Sequence, residues 1–313
     1  MRAAATVPGY RVGPATPGDL DAIVELFDAY DVWNFGQPDT VREHLEADFD
    51  LPGFDPALDS WLVTDSVRAV VGFAYVLGGH GGDSHDAFAR VHPSHHGRGI
   101  GAFLVDAAEG RARQRVGGAP EARLWNSISA TDLQAADLLC GRGFLPVRHC
   151  WHMERSLSEG LPIPEPPAGI EVRALQAGEE LQVHAAMEES FAEHWGTGAP
   201  PFEQWRAFMD APGFDLGLVL VAVDGDEIVG EVDSMGTPDA AWVNVLGVRP
   251  AWRGRGIGTL LLLRAFADLA GRGHRGVRLN VDAGNETGAT RLYERVGMTV
   301  RREWLVYEKL LAG

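Results

Sequence analysis

Lysine is nearly missing from this chain of 313 residues: Lys309 is the single example, against 26 arginines. That bias points to a GC-rich coding sequence and carries no chemistry. Cysteine is scarce too, with only Cys140 and Cys150, both in the first half. One falls on a predicted helix and one on a predicted strand, so buried free thiols are expected rather than a disulfide framework. A basic excess is absent: the net charge is −17, divided as −8 over residues 1–156 and −9 over the remainder. Nucleic-acid partners are disfavoured, because neutralising phosphates needs a basic face. No apolar run is long enough to cross a bilayer, since Arg264 interrupts the best candidate, Ile257 to Leu269, and the N-terminus has no apolar core segment. No membrane contact and a cytoplasmic location are expected. His80, His85, His92, His95 and His96 lie close in sequence but lack cysteines and zinc-motif spacing, so no metal is expected.

What the chain does have is glycine in a pattern. The pentapeptide Gly-Arg-Gly-Ile-Gly occurs as Gly97 to Gly101 and again as Gly254 to Gly258, each time four residues after a proline. The match widens to Val91 to Gly101 over Val248 to Gly258, at an offset of 157 residues. Upstream, Val70-Val71-Gly72-Phe73 lies over Ile228-Val229-Gly230-Glu231 at an offset of 158, and downstream Leu138 to Phe144 lies over Leu292 to Met298 at 154. An offset near half the chain length that drifts by so little describes two copies of one domain. The length agrees, at roughly 150 residues per domain. Between the copies, Pro162, Pro164, Pro166 and Pro167 lack backbone donors and favour extended backbone, which makes a semi-rigid linker. The expected division is therefore 1–157, a linker over 158–169, and 170–313.

Hydrophobic periodicity gives each copy the same order of elements. In the second copy a strand at Ile170 to Ala174 precedes helices at Glu179 to His194 and Phe202 to Met209. A hairpin follows over Leu218 to Met235, then a strand at Ala241 to Val248 that runs into the glycine turn. Helix Ile257 to Ala270, strand Gly276 to Asp282, helix Glu286 to Val296 and closing strands over Thr299 to Lys309 complete it. The first copy repeats this with strand Tyr10 to Pro14, helices Asp19 to Tyr30 and Thr40 to Ala47, hairpin Trp61 to Leu77 and strand Phe88 to Val91. Helix Ile100 to Arg115, strand Ala122 to Trp125, helix Asp132 to Arg142 and strands over Leu145 to Met153 follow. The order implies an α/β layered domain, present twice, with a mixed, mostly antiparallel sheet flanked by helices.

A strand that ends in a glycine-rich turn opening a helix gathers several backbone N–H groups and the positive end of the helix dipole around one point, which suits a pyrophosphate. Glycine permits the close approach and the dihedrals this needs, and Arg253 and Arg255 add positive charge. A P-loop is excluded because no Gly-Lys-Ser/Thr ends the turn. A dinucleotide fingerprint is excluded because the turn follows a hairpin late in the domain.

At these residues the chain resembles the GNAT acyltransferase superfamily, whose signature is Arg/Gln-x-x-Gly-x-Gly/Ala after the fourth strand. Arg253-Gly254-Arg255-Gly256-Ile257-Gly258 matches it fully, and the family's later motif is met by Asn285, Ala289, Leu292, Tyr293, Gly297 and Met298. The resemblance covers Ile170 to Lys309, with a weaker copy over Tyr10 to Arg155. It implies acetyl-CoA as cosubstrate and direct transfer of the acetyl group to a primary amine of a small molecule or peptide. The backbone of Leu246, Gly247 and Val248 would hold the acyl and pantetheine portions and stabilise the oxyanion. The turn would hold the pyrophosphate, with Asn285 belonging to the same site, and in the first copy Val91, Gly97, Arg98, Gly99, Ile100 and Gly101 are the corresponding residues.

The resemblance makes Tyr293 the general acid for the departing thiolate, where an ordinary phenol near pKa 10 would serve; the plainer reading is a tyrosine that covers the core. For the base, Trp242 and Asn244 occupy the fourth-strand positions at which some relatives carry a carboxylate. Glu231 and Asp233 on the preceding strand alternate in step and face one side. Glu231 is the first candidate, acting through water, and His194 a further one. In the first copy His96 replaces Arg253, Leu139 replaces Tyr293 and Thr131 stands at Asn285. The second half is therefore expected to catalyse and the first to be a degenerate copy packed against it, in a monomer or homodimer. Acidic segments over Gly18 to Asp59 and Gln176 to Asp215 favour a cationic acceptor. The alternatives are a CoA-binding sensor without catalysis, or catalysis by the first half.

Overall fold

The repeated order of elements folds into two units in a computed structural model that describes residues 6–38, 40, 42–78, 84–117, 119, 121–158, 162–192, 198–210, 214–236, 241–285 and 288–311. The first unit comprises Met1–His149 with Arg302–Gly313, and the second Cys150–Arg301. His80 and the candidate base His194 lie outside the described residues.

The first unit contains strands β1 (Arg11–Gly13), β2 (Ser60–Thr64), β3 (Val70–Gly78), β4 (Ser84–Val91) and β5 (Arg123–Ser129). Its helices are α1 (Leu20–Phe35), α2 (Arg42–Phe49), α3 (Pro56–Asp59), α4 (Ile100–Val116) and α5 (Leu133–Cys140). Strand β6 (Leu145–Ser156) closes the first repeat. The second repeat supplies β7 (Ile170–Ala174), β8 (Val219–Asp224), β9 (Glu227–Gly236), β10 (Ala241–Val248), β11 (Gly276–Asp282) and β12 (Thr299–Leu310), with helices α6 (Glu180–Phe191), α7 (Phe202–Met209), α8 (Ile257–Gly271) and α9 (Ala289–Arg295). Helix α1 outruns its expected end at Tyr30 until Gly36, at φ 78°, closes it. The closing strands of each repeat are one long strand apiece.

The unit boundary differs from the repeat boundary, and the closing strands are the reason. Residues Cys150 to Ser156 of β6 pair antiparallel with β11, from Cys150 opposite Asp282 to Ser156 opposite Gly276, so they belong to the second unit. Residues Trp304 to Leu310 of β12 pair with β5 and belong to the first. Each sheet is thus completed by the other repeat's last strand. The exchange is open to the chain because the two strands are repeats of one another and present similar pairing edges.

The sheet of the first unit runs β1-β2-β3-β4-β5-β12 and that of the second β7-β8-β9-β10-β11-β6. All neighbours are antiparallel except β4 with β5 and β10 with β11. Helices cover both faces of each. In the second unit Leu261, Leu262, Leu269, Val277, Tyr293 and Met298 form one core, while Val183, Met187, Trp205, Met209, Val219 and Val221 form the other. In the first unit Leu104, Leu124, Leu139 and Phe144 answer to the former, and Ile23, Leu26, Phe73 and Tyr75 to the latter. Each such side chain contributes about 1.5–3 kcal/mol by leaving water.

Two glycines set the spacing between strand and helix. A β-carbon on Gly72 would lie 2.7 Å from Ile100 Cγ2, and one on Gly230 would lie 2.9 Å from the Gly247 carbonyl oxygen and 3.3 Å from Leu261 Cδ1. Neither cysteine is in a disulfide, but Cys140 is exposed at the end of α5 and Cys150 is half-buried, which corrects the expectation that both are buried.

Candidate active site

The glycine turns are built alike in both units. In each, a proline-initiated single 3-10 turn follows the strand, at Pro93–His95 and Pro250–Trp252. The N–H just before the proline donates to the carbonyl of the neighbouring hairpin strand, His92 to Val71 and Arg249 to Val229, both at 2.9 Å. Gly97 and Gly99 have φ of 72° and 83°, and Gly254 and Gly256 have 77° and 86°. Only glycine adopts this left-handed backbone readily. Gly99 and Gly256 cap α4 and α8, so the first N–H groups of those helices point out of the turn without intrahelical partners. Ile100 and Ile257 anchor the turns in the cores. Gly101 and Gly258 let Leu138 and Leu292 approach, where a β-carbon would stand at 3.3 Å and 3.1 Å.

Arg253 and His96, which differ in charge, do one structural job. Arg253 Nε donates to the Val248 carbonyl at 3.1 Å and Nη2 to the Ser190 carbonyl at 3.0 Å. His96 Nε2 donates to the Val91 carbonyl at 3.0 Å. Each side chain ties the turn back to the end of its strand. Beside the charge expected of it for a phosphate, Arg253 acts as a strut, because its guanidinium engages these carbonyls. Arg255 and Arg98 are exposed at the turns, and Arg98 Nη1 reaches the Tyr10 hydroxyl at 3.3 Å.

Beyond the turns the parallel strands part. Among the described residues, strands β4 and β5 pair only from Ser84 and Arg123 to Ala87 and Asn126, and β10 and β11 only at Ala241 with Val277 and Trp242 with Arg278. A bulge at Asn244 shifts the register of β10 against β9 and helps it diverge from β11. The backbone of Leu246, Gly247 and Val248 therefore faces the opening on the β11 side. In the first unit the corresponding opening is a cavity of about 310 Å³ whose lining includes Val91, Gly99, Gly101, Asn126, Leu138 and Leu139. Asn285 follows β11, its N–H donating to the Asp282 carbonyl at 3.0 Å.

The sheet faces toward α6 and toward α1 differ in content. A β-carbon on Gly247 would meet Ser190 Cβ at 3.0 Å and Phe191 Cε2 at 3.3 Å, so this face of β10 lies under the end of α6. Glu231 pairs with Gly247 and Asp233 with Val245, which puts both carboxyls on that face. Glu231 is 1% exposed and Asp233 8%. Glu231 Oε1 and Asp233 Oδ1 are buried without a partner, as is Ser190 Oγ beside Gly247. Burial, then the neighbouring Asp233, pushes the Glu231 carboxyl well above the usual range. Burial also raises Asp233, to about 6, against a hydrogen bond from Asn244 that favours its charged form.

Tyr293 lies on the other face, in the core beneath α8. Its hydroxyl makes no hydrogen bond to another described residue, and burial alone pushes it up to about 12. The expectation of an ordinary phenol is corrected accordingly. Tyr293 and Glu231 are not brought into contact; they flank the parting of β10 and β11 from opposite faces. Leu139 occupies the position of Tyr293 in the first unit, with the same backbone closure: Phe144 N–H donates to its carbonyl at 3.1 Å and Met298 N–H to that of Tyr293 at 3.0 Å.

In the first unit the positions of Glu231, Asp233 and Gly247 belong to Phe73, Tyr75 and Arg90. Phe73 and Tyr75 stack at 5.4 Å within an aromatic cluster that includes Phe27, Phe49, Phe54 and Phe88. Arg90 lies over the rings of Tyr30 and Trp304 at 4.7 and 5.3 Å. Its Nη1 donates to the Ser127 carbonyl on β5 at 3.5 Å, which bridges the parted strands. Tyr30 adds a second clasp, its hydroxyl donating to Asp132 Oδ2 at 2.9 Å. Burial holds the Tyr30 phenol far above its ordinary range. Space on this side is filled.

One residue of the second site could not be found from its repeat. His152, on β6, is buried and lies edge-on to Trp242 with ring centroids 5.0 Å apart. It pairs with Asn280 on β11 and reaches this face only through the strand exchange.

The profile of the Acetyltransferase (GNAT) family matches residues 20–144 and 181–298. A mycothiol acetyltransferase of Thermobispora bispora is 32% identical over 295 residues, covering 91% of this chain and 94% of that protein. One from Kineococcus radiotolerans is 33% identical over 244 residues, 76% of this chain and 77% of its own. Among solved structures, a GCN5-related N-acetyltransferase from Sphaerobacter thermophilus superimposes with a TM-score of 0.88 at 32% identity, over 98% of both chains. A tandem GNAT protein from the clavulanic acid biosynthesis pathway shares the fold at a TM-score of 0.75 and 16% identity, over 97% of this chain and 99% of its own.

Proposed function

We propose that the second unit performs the chemistry of this chain, which belongs to the GNAT acetyltransferase family and is an acetyl-CoA-dependent N-acetyltransferase. The observation that carries the assignment is the composition of one sheet face. Glu231 and Asp233, with Ser190 beside Gly247, leave buried polar atoms on the face toward α6, where the first unit presents Phe73, Tyr75 and the bridging Arg90.

In this reading the turn Gly254 to Gly258 receives the pyrophosphate of acetyl-CoA, and backbone groups of Leu246 to Val248 receive the thioester. Glu231 takes a proton from the acceptor ammonium. The freed amine attacks the carbonyl carbon, a C–N bond forms, and backbone N–H donation supports the oxyanion as it develops. The C–S bond then breaks, Tyr293 supplies the proton for sulfur, and the second proton shed by the attacking nitrogen returns through solvent to the phenolate. A phenol at about 12 is fully protonated near neutrality. Against a thiol of about 8.5 it gives up its proton only as negative charge gathers on the departing sulfur.

The relatives named mycothiol acetyltransferases support a small-molecule amine of that general kind as the acceptor. The first unit keeps the turn and the cavity but carries no group at Leu139 to act as an acid, and we assign it no turnover. Release of CoA thiol from acetyl-CoA, measured with a panel of amines, tests the assignment. Glu231→Gln and Tyr293→Phe are expected to abolish most release while Gly99→Val spares it; the reverse pattern would move catalysis to the first unit.

A further inference from the structure

The buried pair on β9 carries more than a base. We propose that Glu231 and Asp233 form a two-carboxyl seat for the acceptor's ammonium group, in which Asp233, oriented by Asn244, holds the cation while Glu231 removes its proton. The proposal rests on catalysis by the second unit, and it names the chemical class the site selects: an amine that arrives as a cation.

The argument is one of missing partners. A carboxylate withdrawn from water is strongly destabilising unless a cation or several hydrogen bonds compensate it. Among the described residues neither Glu231 nor Asp233 has an ion-pair partner, and one oxygen of each is buried with no hydrogen bond at all. Among the described residues, the arginines at the end of β10 are engaged elsewhere: Arg249 lies against Glu227 and Glu189, and Arg253 donates to the Val248 and Ser190 carbonyls. From β8 the facing residues are Val219 and Val221, and from β10 they are Asn244, Val245 and Gly247. From α7 come Trp205 and Met209. From α6 come Val183, Ala186, Met187 and the unpartnered Ser190 hydroxyl. The one titratable side chain buried on α6, His184, is engaged elsewhere: Nε2 donates to the Pro200 carbonyl at 2.7 Å, and Nδ1 lies 3.8 Å from Glu188. Burial raises both carboxyls, as a seat that awaits its counter-charge requires.

The proton balance fits a two-group site. The ammonium enters between the carboxyls, one proton moves from nitrogen to Glu231, and the neutral amine then attacks; the nitrogen loses its second proton as the amide forms, and that proton replaces the one Tyr293 gives to sulfur. The amide product carries no charge to hold it, and Glu231 returns its proton to water as the product leaves. Asp233 remains ionised throughout, because the Asn244 amide favours its charged form.

Methylammonium is the smallest probe of such a seat. With the full chain at about pH 8, methylammonium chloride is expected to raise the melting temperature over an equal concentration of sodium chloride by on the order of 2 °C. Asp233→Asn, which keeps the shape and the Asn244 contact, is expected to lose that difference. No difference in the wild type, or an equal one in the variant, overturns the seat. Kinetics separate it from the assignment it rests on. With whichever of glucosamine, cysteamine and putrescine turns over fastest, Asp233→Asn is expected to raise the acceptor KM about tenfold, the loss of one charge-assisted contact, and to affect kcat less. Glu231→Gln is expected to act mainly on kcat. If Glu231→Gln is inactive while Asp233→Asn leaves KM unchanged, the seat fails alone. If Glu231→Gln retains full kcat while the methylammonium response persists and depends on Asp233, the base assignment fails and the seat stands.

Discussion

The two units share a turn and differ in a face. The glycine dihedrals of the two turns agree within a few degrees, and even the substitution of His96 for Arg253 preserves the tie to the strand. On the faces toward α1 and α6 almost nothing is kept: an aromatic cluster and a bridging arginine stand opposite two unpartnered carboxyls and a glycine. Holding a pyrophosphate is a task for backbone N–H groups, so it tolerates changed side chains as long as the glycines remain. Acid–base chemistry is a task for particular side chains in a dry site, and under the proposed assignment Phe73, Tyr75, Arg90 and Leu139 leave the first unit without them.

Four experiments press on that contrast. The largest effect is expected at the phenol: Tyr293→Phe should lower kcat by about 10²–10⁴, the usual contribution of a positioned acid, with little change in the KM for acetyl-CoA. Leu139→Tyr should add no turnover, because Arg90, Phe73 and Tyr75 still fill the acceptor side. A gain in steady-state rate from Leu139→Tyr would erase the distinction between the units.

Next is the stability of the acidic face. Asp233 keeps its proton up to about 6 in the folded chain, against an ordinary 3.8. The folded chain therefore binds more protons between those values, and stability falls as pH rises through that window. Above it the loss is roughly 3 kcal/mol. Asp233→Asn should melt higher than the wild type at about pH 8 and show no such advantage at about pH 4. Thermal melts over that range check the sign, and an advantage at the acid end would contradict it.

The turns should respond equally in stability and unequally in activity. Alanine at Gly99 or Gly256, both in left-handed backbone, should destabilise its unit by about 1–2 kcal/mol. Only Gly256→Ala should raise the KM for acetyl-CoA in turnover, by about tenfold if that strain is expressed in binding. The smallest effect is expected at Arg90, where Arg90→Met removes the cation–π contacts to Tyr30 and Trp304. A loss of about 1 kcal/mol, read as a melting temperature lower by roughly 2–4 °C, should come with no change in turnover.

Much of this was legible in the sequence because it rests on local pattern. Two copies, the order of strands and helices, the glycine turns and the pairing of Glu231 with Asp233 on one face all follow from spacing along the chain. Strand exchange was not legible, because β6 and β12 are repeats of one another and a sequence does not say which sheet an interchangeable strand joins. His152 was hidden for the same reason. The bracing of the turn by Arg253 was hidden because charge is visible in a sequence while the carbonyls that engage a guanidinium are not. The value of about 12 for Tyr293 depends on how deeply α9 is buried, which a motif does not encode.

The exchanged strands change what a break in the chain would do. A protease cutting within 158–169 would sever the polypeptide without isolating either unit, since the second still needs Cys150 to Ser156 from upstream of the cut and the first still needs Trp304 to Leu310 from downstream. The two fragments would stay associated through native pairing, and denaturation would be required to part them. For the same reason a nonsense mutation at Trp304 would strike first at the sheet of the opposite repeat, leaving Glu231 and Tyr293 on an intact strand and helix.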